Sequence, residues 1–349
     1  MGSGIQKVSY GKTPNGEAVD LYTLTNDNGL VAKICTYGAL LAEMHTPDKH
    51  GKFGDVVLGF DDFDGWLKRN KSYFGVTVGR VANRIANAIF SLEGKTYKLA
   101  ANDGPHCLHG GLLGFGRVNW HAQPLETKDG PAVKLSYLSC DGEDGFPGNL
   151  TVNVTYTLTQ QDELKIEYFA KTDATTIVNL TNHTYFNLTG KGNILDHEVI
   201  IFADRYTPVD ATLIPTGELA PVAGTPLDFT KCTKIGTRIR DIKSTPVGYD
   251  HNYVLNSGGK ALEPCARVHD PNSGRTMILA TTEPGVQFYT GNFLDGSTVG
   301  KGGVAYKQWD GFCLETQKFP DAINQPKFPS IVLKPGETYS QVTTHRFCV

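Results

Sequence analysis

One carboxylate stands in an unusual position, within the segment Asp310–Asn324. Glu315 follows Phe312, Cys313 and Leu314, an apolar run that predicts a buried strand. An acid is rare in such a run unless it is paired or takes part in chemistry. Partial burial would raise the pKa of this carboxyl towards the working range of a general base. The alternative is an acid at the end of a strand that stays in water.

Two further segments concentrate polar side chains inside strand-like sequence. In Val78–Ala86, Arg80 and Arg84 interrupt a run of small residues. Their planar guanidinium donors suit hydroxyl or carboxylate oxygens, although a structural ion pair is the alternative. In Val178–Leu188, His183 stands among Asn and Thr with aromatic neighbours. That composition suits the wall of a wet, hydrogen-bonding pocket, or else a histidine satisfied in the core.

Two more segments carry histidines. In Gly248–Val254, Asp250 precedes His251, which aromatic residues flank, and an Asx turn would explain the pattern equally well. The loop His106–Gly111 holds two histidines, but no cysteine lies at zinc-ligand spacing and no H-E-x-x-H motif is present. The sequence therefore predicts no metal site. Polar donors, aromatic rings and one Glu with histidines favour acid–base work on a neutral, hydroxyl-rich ligand.

The elements that must position these groups are mostly strands. Apolar residues occupy every second place in Leu150–Leu158, and the alternation returns in Leu164–Tyr168, which predicts a hairpin. The other predicted strands are Ala88–Leu92, Thr96–Leu99, Val133–Leu138, and a C-terminal pair, Ile331–Leu333 and Thr338–Val342.

Helical periodicity is confined to Asp61–Asn70, where Phe63, Trp66 and Leu67 share one face and predict a short helix. No change of composition, low-complexity linker or repeat divides residues 1–349, so we expect one domain. Many strands and few short helices predict an all-β fold, a large antiparallel β-sandwich.

Composition excludes several classes of partner. The net charge is −3 and no basic run is present, so nucleic acid and membrane surfaces are not expected partners. No apolar stretch approaches the length of a membrane span. The seven cysteines are scattered and odd in number, which is typical of reduced thiols. Because the N-terminal residues also lack a signal-peptide core, we expect a cytoplasmic protein.

The ordered set of motifs resembles the aldose 1-epimerase (mutarotase) family of the galactose mutarotase type, over essentially the whole chain. The matching segments are Gly79–Ile85, Leu108–Gly111, Thr181–Leu188, Gly248–Tyr253, Glu283–Asn292, and Gly311–Gln317 followed by Phe319–Ala322. The resemblance implies a β-sandwich of galactose-mutarotase type with an open sugar cleft. It also implies interconversion of the α and β anomers of aldohexoses, without cofactor or metal.

The resemblance also assigns roles to residues. Glu315 would be the general base and His183 the general acid. The residues implied to bind and orient the sugar are Asn83, Arg84, His109, Tyr185, Asp250 and Gln287. Mutarotation removes the C1 hydroxyl proton while the ring oxygen gains one, and both transfers reverse on closure. A carboxylate at Glu315 beside an imidazolium at His183 would meet that need near neutral pH.

Several points stay open at the level of sequence. Lys307–Asp310 departs from the more basic, histidine-containing stretch expected in relatives, so the resemblance does not describe that part of the pocket rim. Neither the preference between galactose and glucose nor the oligomeric state, a monomer or weak dimer, can be read from the sequence.

Three other functions compete with this interpretation. A hexose 6-phosphate epimerase would need further Arg or Lys residues to hold a dianion. A relative recruited to isomerise another hemiacetal would keep the same acid–base pair. A non-catalytic sugar-binding protein would keep Arg84 and Asp250 but could lose Glu315 and His183.

Overall fold

The structure is a computed structural model that describes residues 4–349, so the first three residues, on which part of the signal-peptide argument rests, lie outside it. The first strands in chain order are β1 (Gly4–Lys12), β2 (Ala18–Thr25), β3 (Val31–Cys35), β4 (Leu40–Pro47), β5 (Phe53–Asp55), β6 (Thr77–Val78), β7 (Arg84–Ile85), β8 (Ile89–Leu92), β9 (Lys95–Lys98), β10 (Cys107–Leu108), β11 (His121–Thr127), β12 (Gly130–Ser139), β13 (Leu150–Leu158) and β14 (Glu163–Thr172). The remaining strands are β15 (Thr176–Ile177), β16 (Thr181–Asn182), β17 (Glu198–Ile201), β18 (Arg205–Tyr206), β19 (Ala220–Pro221), β20 (Thr233–Lys234), β21 (Asp250–Val254), β22 (Glu263–His269), β23 (Thr276–Thr281), β24 (Gly285–Tyr289), β25 (Asp295–Val299), β26 (Ala305–Lys307), β27 (Cys313–Gln317), β28 (Val332–Leu333) and β29 (Tyr339–Cys348).

Helical structure is sparse, as the sequence predicts. The α-helix is α1 (Phe63–Arg69), and short 3₁₀ turns occupy Ala86–Ala88, Phe115–Arg117, Glu143–Gly145, Ile235–Thr237, Ile239–Asp241, Lys301–Gly303 and Ala322–Asn324. The Asp62 carboxylate caps α1 by accepting a hydrogen bond from the Gly65 N–H at 2.7 Å. Phe63 and Trp66 are buried, which confirms the predicted apolar face of the helix.

Three large antiparallel sheets build the fold. The largest has nine strands in the order β11-β12-β13-β14-β29-β23-β22-β17-β20. A five-stranded sheet follows the order β1-β2-β3-β4-β5, and a second five-stranded sheet the order β19-β18-β21-β24-β27. The main core cluster takes side chains from all three, among them Tyr22, Val133 and Val286. The predicted all-β, antiparallel fold class is therefore confirmed.

The predicted hairpin forms as expected. Strands β13 and β14 pair from Leu150 opposite Thr172 to Leu158 opposite Leu164. Strands β8 and β9, which match the predicted strands Ala88–Leu92 and Thr96–Leu99, likewise pair around a short turn. In both cases the turn is short and the alternation of apolar residues fixes which face is buried.

Both predicted C-terminal strands form, but they do not pair with each other. Strand β28 pairs with β15, whereas β29 lies between β14 and β23 in the nine-stranded sheet. Strand β29 also continues to Cys348, well beyond the predicted end at Val342. The turn at Pro335-Gly336 therefore sends the chain into another sheet instead of folding it back on itself.

Among residues 4–349, no helix is both long enough and apolar enough to cross a membrane.

Candidate active site

The floor of the site is the polar face of the sheet that contains β27. Side chains alternate along this strand, so that Cys313 and Glu315 share one face while Leu314 packs into the main core. The register places Gln287 of β24 opposite Glu315 and Tyr289 opposite Cys313. The run that looks uniformly apolar in sequence is thus a strand with two different faces.

His183 reaches the site from the end of the short strand β16. Its N–H donates to the carbonyl of Val76 at 2.9 Å, and its carbonyl accepts from the N–H of Gly75 at 3.0 Å. The neighbouring Asn182 side chain donates to the carbonyl of Gly75 at 2.9 Å and to the Tyr156 hydroxyl at 3.1 Å. Bonds on both sides of the backbone therefore fix the position from which the imidazole projects.

Two tight loops form the facing wall and exchange hydrogen bonds. The His109 N–H donates to the Asn83 carbonyl at 3.0 Å, and the Asn83 N–H donates to His109 Nδ1 at 3.2 Å. Both residues have left-handed backbone, with φ of 59° at Asn83 and 53° at His109. A β-carbon added to Gly110 would lie 1.9 Å from the carbonyl oxygen of Gly79, so only glycine fits there. Strained backbone of this kind tends to occur at functional sites.

These elements surround an open pocket with a volume of about 220 Å³. The structure brings together seven of the eight site residues predicted from the sequence, and the pocket-lining members are Asn83, Arg84, His109, His183, Tyr185, Asp250 and Glu315. Seven more residues line the same pocket, namely Lys71, Ser72, Tyr73, Asp103, Leu108, Tyr289 and Phe293.

Gln287, the eighth predicted residue, lies beside the pocket and does not form its wall. It is buried, and its Nε2 donates to Asp250 Oδ1 at 2.7 Å. Its Oε1 has no hydrogen-bond partner within residues 4–349. Gln287 therefore orients Asp250 in this structure, and its direct contact with a sugar stays a prediction.

Glu315 and His183 form the centre of the site. Glu315 Oε1 lies 3.6 Å from His183 Nε2, and the two side chains are 3% and 6% exposed. Glu315 Oε2 is buried and has no hydrogen-bond partner in the described part of the chain. Burial, followed by the negative charge of Asp250, raises the pKa of Glu315 well above its usual value, while Arg84 acts in the opposite direction. The expected upward shift is confirmed.

The protonation of His183 differs from the expectation. Burial lowers the pKa of its imidazole to about 4, so the ring is neutral at pH 7 and the expected imidazolium is not the resting form. Burial therefore favours the uncharged form of both groups, the protonated carboxyl of Glu315 and the neutral ring of His183.

Arg84 is held over the pocket by an ion pair. Its Nε donates to Asp103 Oδ2 at 2.7 Å, and the arginine side chain is 10% exposed. A guanidinium group carries five N–H donors, so this bond leaves others for a ligand. Burial raises the pKa of Asp250, and Arg84 partly offsets that increase.

Aromatic rings fix the orientation of the His183 imidazole. The rings of Tyr185 and Tyr73 lie 5.1 Å and 6.0 Å from it, at interplanar angles of 24° and 26°. Tyr73 also has a left-handed backbone, with φ of 60°. At the mouth of the pocket, Phe293 is 58% exposed and presents its ring to solvent.

Arg80 is not a site residue. Its guanidinium is buried and donates to the carbonyl oxygens of Ser139, Cys140 and Pro147 at 3.0, 2.9 and 2.7 Å. It therefore anchors a loop through neutral carbonyl groups, which is neither a ligand contact nor the ion pair considered as its alternative.

The two remaining candidate histidines also lie off the pocket wall. His106 Nδ1 accepts from the N–H of Asn87 at 3.0 Å, and His251 Nδ1 accepts from the N–H of Asp250 at 3.1 Å. Both rings therefore support loop backbone.

The departure at Lys307–Asp310 also lies off the pocket wall. Gln308 Nε2 and Trp309 Nε1 both donate to the Val247 carbonyl, at 3.0 and 3.2 Å. These bonds connect Lys307–Asp310 to the loop that precedes Asp250. The segment can therefore affect the pocket through the position of that loop.

Within residues 4–349, two clusters bring potential metal ligands together. His109, His183 and Glu315 place one ligand atom each within 4.8 Å of one another. However, His109 Nδ1 accepts the Asn83 N–H, so the neutral ring carries its proton on Nε2, and neither nitrogen is free to ligate. In the second cluster, of Glu43, His45 and Asp55, the Lys301 ammonium bonds to Asp55 at 2.5 Å and supplies the positive charge itself.

Sequence reasoning missed half of the pocket lining. Tyr289 could have been found, because it lies two residues after Gln287 in a strand and so shares its face. Tyr73 and Asp103 carry no local signal, since each becomes part of the site only through contacts with distant residues.

Comparison with known proteins identifies the relatives of this chain. The family model described as aldose 1-epimerase matches residues 20–346. The galactose mutarotase of Bos taurus is 48% identical over 348 residues, which cover 99% of both chains. The galactose mutarotase of Homo sapiens is 47% identical over 350 residues with the same coverage. The aldose 1-epimerase of Escherichia coli strain K12 is 36% identical over 339 residues, covering 96% of both chains.

Solved structures show the same relationship. An aldose epimerase homologue from C. elegans superposes with a TM-score of 0.87 at 32% identity, covering 99% of both chains. The galactose 1-epimerase of Lactobacillus acidophilus also gives a TM-score of 0.87, at 29% identity and 99% coverage of both chains.

Proposed function

This chain belongs to the aldose 1-epimerase family, and we propose that it interconverts the α and β anomers of aldohexoses by general acid–base catalysis, with Glu315 as base and His183 as acid. The observation that carries the assignment of roles is the buried pair itself. Glu315 Oε1 and His183 Nε2 lie 3.6 Å apart on the wall of an open pocket. A separation of this size is compatible with tightening around a bound sugar.

The proposed mechanism starts with one proton shared by the pair and transfers two protons during ring opening. In the reactive arrangement the proton lies on His183 Nε2 and Glu315 is a carboxylate. Glu315 removes the C1 hydroxyl proton while Nε2–H gives its proton to the ring oxygen, and the bond between C1 and the ring oxygen breaks. The products are the open aldehyde, a protonated Glu315 and a neutral His183. Rotation about C1–C2 and reversal of both transfers give the other anomer.

Burial of the pair favours the state in which the sugar ring is open. Opening the ring converts a charged pair into an uncharged pair, which is the form that the dry environment favours for both groups. Each proton transfer to or from a positioned side chain typically contributes about 10²–10⁴-fold to the rate. The steps require no cofactor and no metal ion.

The remaining pocket groups would recognise sugar hydroxyls. Arg84 and the Nε2–H of His109 are donors, Asp250 is an acceptor, and Asn83 and Tyr185 line the wall between them. The mammalian relatives are named galactose mutarotases, which supports galactose as one substrate of this chain. We also propose a cytoplasmic location, which the seven unpaired cysteines support.

A 6-phosphate substrate is less well matched to the charges of the pocket. Lys71 and Arg84 are the pocket-lining cations of the described residues, and the acids Asp103, Asp250 and Glu315 face them. Burial favours the uncharged form of Glu315, so Asp103 and Asp250 balance these two cations and a phosphate dianion would find no excess of positive charge there.

The test is polarimetry of freshly dissolved α-D-galactose and α-D-glucose, with the buffer rate subtracted. Wild type is expected to accelerate the relaxation, and Glu315→Gln is expected to reduce kcat by at least about 100-fold, because an amide cannot accept the C1 proton. His183→Asn should lose a similar factor. The matched control is Glu126→Gln, an exposed residue on the edge strand β11, which should leave the rate unchanged.

Other outcomes would redirect the assignment. A near-normal rate in a folded Glu315→Gln variant would remove Glu315 from the mechanism. If wild type accelerates only α-D-glucose 6-phosphate, the phosphate-specific alternative holds. If wild type binds the sugars without accelerating relaxation, the protein is a sugar-binding protein.

A further inference from the structure

The two ring nitrogens of His183 face two residues of the same strand. Nε2 lies 3.6 Å from Glu315 Oε1, and Nδ1 lies 3.5 Å from the sulfur of Cys313. Cys313 and Glu315 are two positions apart on β27 and share its polar face. Strand β27 therefore contacts both sides of the imidazole.

The Cys313 sulfur is a buried, uncharged group. The residue is fully buried, and the groups that face it carry negative or polar character: Glu315 on its own strand, Asp250 on β21 and Tyr289 across the strand pair. Burial, together with the charges of Glu315 and Asp250, raises the pKa of the thiol well above its usual value. The sulfur is therefore a thiol at neutral pH, and a thiol sulfur is a weak hydrogen-bond acceptor.

The proposed proton transfers determine which nitrogen of the neutral His183 ring carries its proton. Nε2 must give a proton during opening and take one back during closure, so it must be unprotonated whenever the imidazole is neutral. The single proton of the neutral ring must then be on Nδ1, the nitrogen beside Cys313. The stacked rings of Tyr185 and Tyr73 hold the imidazole in this orientation.

We propose that the Cys313 sulfur accepts a hydrogen bond from His183 Nδ1–H and so reserves Nε2 for the proton transfers, which makes Cys313 a positioning residue. Its catalytic consequence rests on the proposed function, whereas the tautomer is a property of the free protein. A neutral sulfur, unlike a carboxylate at this place, adds little stability to the imidazolium form. The ring therefore remains a strong acid when it is protonated.

The first experiment reads the tautomer directly. The full chain is labelled with nitrogen-15 in its 10 histidines, and long-range proton–nitrogen correlations are recorded at pH 7.5. His183 is assigned from the signals that disappear in His183→Asn. The expected result is a protonated Nδ1 and an unprotonated Nε2 at His183. A protonated Nε2 in wild type would overturn the proposal, whatever the activity measurements give.

The second experiment tests the sulfur. In Cys313→Ala we expect a mixture of the two His183 tautomers and a fall in kcat of roughly 5–10-fold with little change in KM, because one hydrogen bond is lost. Cys313→Ser keeps a hydrogen-bond acceptor, so it should recover most of the Nδ1–H tautomer and most of the wild-type kcat. The matched controls are Cys35→Ala and Cys35→Ser, at a fully buried cysteine of the same packing cluster, which should leave the tautomer and kcat unchanged.

The outcomes separate the two proposals. If wild type has the Nδ1–H tautomer but no mutarotase activity, the proposed function fails and the hydrogen bond stands. If folded Cys313→Ala keeps the wild-type tautomer and kcat, the positioning role is wrong. If Cys313→Ala does not fold, the wild-type spectrum and the Cys313→Ser variant still test the positioning role of Cys313.

Discussion

Replacing Asp250 with Asn tests whether this acid sets the working pH of the site. The charge of Asp250 is one of the causes that raise the pKa of Glu315. The amide keeps an oxygen in the place where Asp250 accepts the hydrogen bond from Gln287, but it carries no charge. Removing the charge should therefore lower the pKa of Glu315 and change little else in the floor of the site.

The size of the shift follows from the sheet. Asp250 lies on β21 and Glu315 on β27, with β24 between them, so two strand spacings of about 4.8 Å separate their backbones. Both side chains rise from this sheet into one pocket. For a separation of roughly 10 Å and an effective dielectric constant of about 20, Coulomb's law gives about 1.7 kcal/mol, or about 1.2 pKa units.

The assay is the dependence of kcat/KM on pH, measured by polarimetry with the buffer rate subtracted. The pair is active when it holds one proton, so the wild-type profile should fall on the acid side near the His183 pKa of about 4 and on the alkaline side at the raised pKa of Glu315. In Asp250→Asn the alkaline limb should move about one unit towards lower pH. The control is Asp27→Asn, in an exposed turn, which should not move it.

An alkaline limb that stays in place or moves to higher pH would refute this reasoning. A change in KM alone would not, because Asp250 also lines the pocket and its loss can weaken sugar binding without changing the pKa of Glu315.

Two predictions concern stability. Arg80→Met should lower the free energy of unfolding by about 3 kcal/mol or more, because two buried carbonyl groups and one part-buried carbonyl group lose their donor, while kcat per folded molecule stays unchanged. Urea unfolding beside the exposed control Arg346→Met measures this, and an equal loss in both variants would contradict it. Burial lowers the pKa of His197 and His345 to about 4, so between pH 6.5 and 4 the unfolded chain binds more protons than the folded one. As the pH is lowered through that window, the free energy of unfolding should fall by up to about 3 kcal/mol for each histidine. His345→Gln should make this dependence on pH weaker. A urea midpoint that stays constant across the window would show that these rings are not buried and neutral.

The features that could be predicted from the sequence are those with local causes. The alternation in Leu150–Leu158 fixes a hairpin because neighbouring side chains of a strand point to opposite faces. The apolar neighbours of Glu315 correctly indicated burial and a raised pKa. The motif around His183 placed it in the same pocket, although no local pattern could show that burial would leave its ring uncharged.

The features that escaped prediction depend on distant contacts. Arg80 and Arg84 are four residues apart and of one type, yet one enters a cage of carbonyl groups and the other faces Asp103. That difference depends on loops that lie later in the sequence and contact the two side chains. The partner of β28 is likewise chosen by the sheet into which β29 inserts, and a turn between two strands does not reveal it.

The wide separation of the reacting groups along the chain has a consequence for folding. The contact between Cys313 and His183 joins residues 130 positions apart, and the neighbouring acid–base pair spans a similar distance. Contacts of high sequence separation cost the most loop-closure entropy, whereas hairpins such as β13–β14 need only a short turn. During refolding, the strand structure of such hairpins, detected by circular dichroism, should therefore return before turnover does. Catalytic activity would then report the closure of these contacts between distant parts of the chain.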